Sequence, residues 1–165
     1  LSFNKKIIEG ANQVAGDWGH QPLPYPTEEE INLKIKCKLE TCGRPLCAEQ
    51  FLSGTGFENI FNSKNNTNIQ APEITQLDIN NDKRAKLEFE FYEDRIARVI
   101  SVMIGIFDPD AIILGGGMSN IDRLYKNIPL ILPKYTFSDK VRNKILKNKF
   151  GDSSGVRGAA WLWNN

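Results

Sequence analysis

Charge of one sign is what this 165-residue chain most plainly lacks: 21 lysines and arginines stand against 20 aspartates and glutamates, a formal net charge of +1. That removes the basic footprint of a general nucleic-acid binder. Long hydrophobic runs are missing too. The longest, residues 99–107, is interrupted by Ser101 and Gly105, well short of the roughly 18 apolar residues that suggest a membrane span. The N-terminus has neither a start methionine nor the charged-then-apolar order of a secretory signal, and it reads as a chain entered in mid-fold. No internal repeat and no disordered linker is present.

Histidine occurs once, at His20, and cysteine three times, at Cys37, Cys42 and Cys47. Three cysteines cannot all pair within one chain, so a reducing cytosol and a metal site fit better than a disulfide framework, and a cytoplasmic protein is expected. What is there in quantity is core-forming material, 41% hydrophobic and 10% aromatic residues. Collagen-like, disordered and coiled-coil classes are excluded, and the length fits one ordinary domain or half of a two-lobed protein.

Residues 1–10 read as a strand or hairpin ending at Gly10. Residues 17–47 carry four prolines, Glu28-Glu29-Glu30 and all the cysteines, with little apolar periodicity; such an excursion needs something other than a core to hold it. Residues 47–52 and then Phe57, Ile60 and Phe61 suggest two short helices joined at a glycine turn over 53–56. Residues 62–68 read as a loop and 69–80 as a further helix. From 83 to 107, Tyr92, Ile96, Val99, Ile100, Met103, Ile104 and Phe107 mark one face of a long buried helix that ends before Asp108-Pro109. Ala111-Ile112-Ile113-Leu114 is a short strand that meets Gly115-Gly116-Gly117, and helical spacing resumes over 118–131, the βα unit of an α/β layer fold. A second strand is expected over 141–146 and a closing helix over 156–163, after a loop at 151–155.

His20, Cys37, Cys42 and Cys47 form a His-x16-Cys-x4-Cys-x4-Cys pattern. Three thiolates and an imidazole make a complete tetrahedral set for structural Zn2+, with no position left for a catalytic water. Ligation would contribute folding free energy where burial cannot. Three buried free cysteines and a surface histidine are the alternative. Gly115, Gly116 and Gly117 would let backbone approach a nucleotide, with a helix N-terminus facing its phosphates, although a tight βα turn needs glycine in any case. Taken alone, Glu49 reads as a first-turn helix acid stabilised by the dipole, and Lys134, Lys140, Arg142, Lys144, Lys147 and Lys149 read as a solvated face.

Ala15-Gly16-Asp17-Trp18-Gly19-His20, followed by Cys42-Gly43-Arg44-Pro45-Leu46-Cys47-Ala48-Glu49, strongly resembles the signature of the ROK family of bacterial sugar kinases and sugar-responsive repressors, Ala-Gly-Glu-x-Gly-His and Cys-x-Cys-Gly-x-x-Gly-Cys-x-Glu. The stretches 108–120 and 151–163, with Trp18-Gly19-His20-Gln21-Pro22-Leu23-Pro24, look like that family's fructokinase (manno-fructokinase) branch, and the likeness spans nearly the whole chain. Three positions depart from the pattern. Asp17 stands for Glu, Glu40 for the first cysteine, so that Cys37 is the nearest thiol, and Leu46 for the glycine before the last cysteine.

The resemblance implies an α/β fold of the actin-like ATPase (ribonuclease H-like) kind, this chain being its C-terminal lobe with a zinc loop inserted at about residues 17–49. It implies an ATP-dependent hexose kinase, a fructokinase first, with structural Zn2+ on His20, Cys37, Cys42 and Cys47. Asp17, His20 and Glu49 would bind the sugar, since carboxylates take charge-assisted hydrogen bonds from vicinal hydroxyls; for His20 a purely structural role is the alternative. Gly115, Gly116 and Gly117 would meet the nucleotide. The complete enzyme would use ATP and Mg2+ and form a homodimer, with no nucleic-acid or membrane partner. Asp-x-Gly-Thr and Asn-Gly-Asp, the family's phosphate-loop and catalytic patterns, do not occur in the 165 residues. No catalytic residue is therefore expected here. The catalytic aspartate belongs to an N-terminal lobe, and this part alone is expected to be inactive. Two other readings are the effector domain of a sugar-sensing ROK repressor and a non-catalytic sugar-binding or dimerisation module.

Overall fold

The computed structural model describes residues 2–3, 6–151 and 154–160. In chain order these form β1 (Ser2–Phe3), β2 (Lys6–Ile7), α1 (Glu28–Asn32), α2 (Glu49–Leu52), α3 (Gly54–Asn65), α4 (Ala71–Ile79), α5 (Lys83–Phe107), β3 (Ala111–Leu114), α6 (Asp122–Ile131), β4 (Lys144–Lys147) and α7 (Ser154–Ala160). Short 3-10 turns lie at Trp18–His20, Gly117–Asn120 and Leu132–Lys134.

The 25 residues of α5 are the spine. Asp82 caps it, its side chain accepting from the Arg84 and Ala85 amides at 2.8 and 3.2 Å, and Asp108 ends it in a left-handed conformation before Pro109. Ala85, Phe89, Tyr92, Ile96, Ile100 and Ile104 are buried along it and meet Phe57 and Phe61 of α3, Ile74 of α4, Leu124 and Ile128 of α6, and Ile145 of β4. The Phe57 ring lies 4.8 Å from that of Phe89 and 4.9 Å from that of Tyr92. Each such fully buried side chain contributes about 1.5–3 kcal/mol by leaving water. A smaller cluster of Leu23, Ala48, Phe51, Ile60 and Val99 lies under the 17–49 excursion.

β1 and β2 pair antiparallel, as the hairpin expectation required. β3 and β4 pair in parallel, Ala111 opposite Lys144 and Leu114 opposite Lys147, with α6 between them in sequence. The long helix and β3 have the bounds read from periodicity. The second strand is displaced to residues 144–147. The closing helix starts at Ser154, and positions 161–163 of its expected span lie outside the described residues.

Two expectations are corrected. No glycine turn separates α2 from α3: the break is Ser53 alone, whose hydroxyl accepts from the Gly56 amide at 3.1 Å, while Gly54 and Gly56 belong to the first turn of α3. Gly56 is there for closeness, since a Cβ on it would fall 2.3 Å from the Gln50 carbonyl oxygen. The expected loop begins only at Asn66, left-handed at φ 52°, because residues 62–65 continue α3. Among the described residues no helix is long and apolar enough to cross a membrane.

Candidate functional site

The proline-rich excursion is a narrow ribbon. Cys37 N–H donates to Arg44 O at 2.9 Å and Leu46 N–H to Ile35 O at 3.2 Å, while Leu23 N–H donates to Leu46 O at 2.7 Å and Ala48 N–H to Gln21 O at 2.9 Å. Residues 35–37 thus lie against 44–46, and 21–23 against 46–48. The tip turns where the Cys42 and Gly43 amides both donate to Leu39 O at 3.0 Å. Leu46 adopts φ 54°, the left-handed conformation natural to glycine, so the ribbon keeps the backbone expected of the family's glycine without having the residue.

This ribbon brings together the four expected metal ligands. The ligand atoms of His20, Cys37, Cys42 and Cys47 all lie within 4.8 Å of one another, and His20 Nδ1 is 3.5 Å from Cys47 Sγ and 3.6 Å from Cys37 Sγ. Zn–S bonds of about 2.3 Å and Zn–N bonds of about 2.0–2.1 Å set a nitrogen–sulfur edge of roughly 3.5 Å in a tetrahedron, so the set fits zinc in donor type and spacing. Cys37 provides the third thiol, and Glu40, at the position of the family's first cysteine, is exposed. Without a metal, burial pushes the Cys47 thiol up to about 12, and the neighbouring Cys37 and Cys42 groups push the same way. The Arg44 amide lowers the Cys42 thiol. Ligation by thiolate displaces such protons.

The expected sugar ligands flank the cluster. Asp17 is exposed and precedes the Trp18–His20 turn, its amide donating to Val14 O at 3.1 Å. Glu49 is exposed at the first position of α2, and its Oε2 lies so close to Gly19 that a Cβ there would come within 3.0 Å. A side chain at 19 would press on that carboxylate. With Nδ1 turned to the thiols, His20 has Nε2 left for another partner.

Trp18, 45% exposed, walls a largely apolar hollow of about 320 Å³ whose other sides are Tyr92, Ile96, Val99 and Ile100 of α5 and Ile112 and Leu114 of β3, with Gly115 at its edge. A second hollow, about 630 Å³, lies between α3 and α4 and is closed by Gly117, Met118, Asn120 and Ile121. The three glycines are exposed between these hollows, Gly116 at φ 75°. The helix N-terminus expected right after them is corrected: a 3-10 turn follows, and α6 starts only at Asp122, whose carboxylate takes Lys147 at 2.7 Å. That pair also assigns one member of the basic cluster to an ordinary exposed strand face.

What the sequence reading missed lies behind the ribbon: Glu30, Arg95 and Arg98 are buried and bonded to one another. One signal was visible, Thr27-Glu28-Glu29-Glu30, a capping box that starts α1. Trp18 as a pocket wall had no such signal.

Known proteins share this fold. The curated N-acetyl-D-glucosamine kinase of Photobacterium profundum is 34% identical over 164 residues, covering 98% of this chain and 54% of the relative. A solved ROK family glucokinase from Streptomyces griseus, in complex with glucose and AMPPNP, superimposes with a TM-score of 0.78 at 21% identity, covering 96% of this chain and 54% of that one. A solved ROK family transcriptional regulator, a homolog of the Escherichia coli MLC protein, does so with a TM-score of 0.71 at 16% identity, over 96% of this chain and 40% of that one. The chain spans about half the length of the curated relative, and the two structures show that it has the α/β fold of the ROK proteins. The family model for ROK proteins matches residues 1–165 from end to end, and this chain belongs to the ROK family.

Proposed function

We propose that this chain is the sugar-binding C-terminal half of an ATP-dependent hexose kinase. The observation that carries the reading is the convergence at His20: one ring faces three thiols through Nδ1 and stands in sequence between the exposed carboxylates of Asp17 and Glu49. His20, Cys37, Cys42 and Cys47 would hold Zn2+, which as a closed four-ligand site supplies order to the ribbon and leaves no coordination position for substrate.

Asp17 and Glu49 would each accept hydrogen bonds from sugar hydroxyls, and His20 Nε2 would take a third polar group of the ring. An array of this kind fixes which hydroxyl is presented to the nucleotide, and positioning is most of what phosphoryl transfer asks of a protein. The glycine turn at 115–117 fits the nucleotide side, because Gly117 lines the hollow between α3 and α4, which has Thr55 and Thr75 on its walls. The base that takes the hydroxyl proton, and the acid that holds ATP-bound Mg2+, belong in this reading to the remainder of a longer protein.

For the substrate, the relatives named above act on N-acetyl-D-glucosamine and bind glucose. These two hexoses are the first candidates, and fructose, the expectation from the stretches 18–24, 108–120 and 151–163, comes after them. The homodimer expected from the family is part of the same proposal. The test is a coupled kinase assay of the complete gene product with all three sugars, alongside the Glu49→Gln variant. Phosphorylation of at least one sugar is expected, and loss of one charge-assisted bond should raise its KM by roughly 10- to 100-fold. Sugar binding with no phosphorylation would favour the regulator-type reading, which the likeness to the ROK transcriptional regulator keeps in play.

A further inference from the structure

The ribbon is tied to α5 by a second device, remote from the thiols. Arg95 and Arg98, three residues apart on α5, are each 1% exposed, and Glu30 of α1 is 3% exposed. Glu30 Oε1 accepts from Arg95 Nε at 2.8 Å and from Arg98 Nη2 at 2.6 Å, while Oε2 accepts from Arg98 Nη1 at 3.0 Å and from the Thr27 amide at 2.9 Å. Arg98 Nη1 also donates to the carbonyls of Pro24 and Tyr25 at 2.9 and 2.8 Å. Its Nε stands 3.0 Å from Asp94 Oδ2 without aiming its N–H at that oxygen. Arg95 passes the chain on to Glu88 at 2.8 Å, and Glu88 to Lys64 of α3 at 2.9 Å.

A patch of aliphatic side chains would have anchored the ribbon with no charge to bury, since buried ion pairs are weak contributors to net stability. What a guanidinium adds is geometry: its donors are fixed in a plane and accept little displacement of their partners. Here those partners include two backbone carbonyls that lie four and five residues after His20. Residues 20–25 are thus held at one end by the histidine–cysteine cluster and at the other by Arg98. Trp18, two residues before His20, faces Tyr92, Ile96 and Val99 across the same hollow, so sliding the segment along α5 would change the width of that hollow and the spacing of its flanking carboxylates.

We propose that the Arg98–Glu30 pair is a positioning device for the sugar-contacting residues, fixing where segment 20–25 lies on α5 and thereby how Asp17, His20 and Glu49 meet a hexose. The proposal rests on the kinase reading for its sugar arm. Neither residue touches sugar or nucleotide; both act through the segment they hold.

The test uses the complete gene product with Arg98→Lys, which keeps the charge and loses the planar fork, and Glu30→Gln as a second variant should the first fail to fold. Arg123→Lys is the control: it loosens a different pair, between Arg123 of α6 and Glu93 of α5, that does not reach the ribbon. Both test variants should raise the sugar KM about tenfold or more, with the ATP KM and kcat held within about twofold, and the control should leave both KM values in place. Hydrogen exchange of the bonded Gln21 and Leu23 amides should quicken about tenfold in Arg98→Lys while α5 keeps its protection. Equal KM changes in all three variants, or exchange quickening across the whole of α5, would overturn the proposal and leave the pair as simple scaffolding. A wild-type protein that phosphorylates no hexose would overturn the kinase reading instead, and the exchange pattern would still decide whether Arg98 fixes the segment.

Discussion

His20 Nδ1 stands 3.5 Å from Cys47 Sγ across 27 positions of sequence, and the backbone bridge between Pro22 and Cys47 fixes that approach. Removal of metal therefore acts on two strands at once. Freshly purified protein is expected to contain about one equivalent of zinc, and Cys47→Ser to lose most of it, both read by elemental analysis. Chelation should lower the melting temperature, with the ribbon rather than α5 losing its exchange protection. Less than half an equivalent in fresh protein would count heavily against the four-ligand site.

Leu46 is held left-handed at φ 54° beside that cysteine, and its partly buried side chain packs on the cluster of Leu23, Ala48 and Phe51. Leu46→Gly removes roughly 1–2 kcal/mol of backbone strain and gives up a comparable amount of partly buried apolar area, so denaturant unfolding should show little net change. Leu46→Val, branched at Cβ, fits that conformation worst of the three and should be the least stable.

Burial alone would raise the Glu30 carboxyl, but hydrogen bonds from Arg98, the Thr27 amide and Arg95 hold it below its ordinary 4.5. A carboxylate with a depressed folded pKa contributes stability that is complete above the unfolded value and is lost as pH falls through the folded one. Urea unfolding from pH 7 down to pH 3 should therefore show a loss of stability below about pH 4.5 that is smaller in Glu30→Gln. The same variant should be less stable at pH 7 by about 3 kcal/mol, the cost of leaving buried guanidinium charge unpaired.

Gly56→Ala places a methyl 2.3 Å from the Gln50 carbonyl oxygen, where only backbone could give way. The expected cost is about 1–3 kcal/mol, as for other overpacked sites, visible as a lower melting temperature. Gly54→Ala, with 3.6 Å to the flexible Met118 side chain, should cost much less.

Sequence reading succeeded where one residue type has one job. α5 was legible because its apolar positions repeat without competition, and β3 because four β-rich residues meet three glycines. The metal candidates were legible because the chain holds one histidine and three cysteines. Other features depend on partners distant in sequence. Glu30 read only as one of three consecutive acids, since nothing local says that two arginines 65 and 68 positions away will enclose it. The glycines at 54 and 56 suggested a turn because the close approach of Gln50, which is what requires Gly56, exists only in three dimensions. The site followed the same division: the metal candidates came from composition, Asp17 and Glu49 from the resemblance, and the arrangement of ribbon, Trp18 and α5 from packing.

Among the described residues β3 is hydrogen-bonded along one side only, to β4, and Ile113 on it is 64% exposed. An apolar strand with no strand neighbour along one margin is a template for another chain. Handled as these 165 residues, the protein is therefore a candidate for concentration-dependent stickiness through β3, and a charged residue in place of Ile113 is the change that would keep it dispersed.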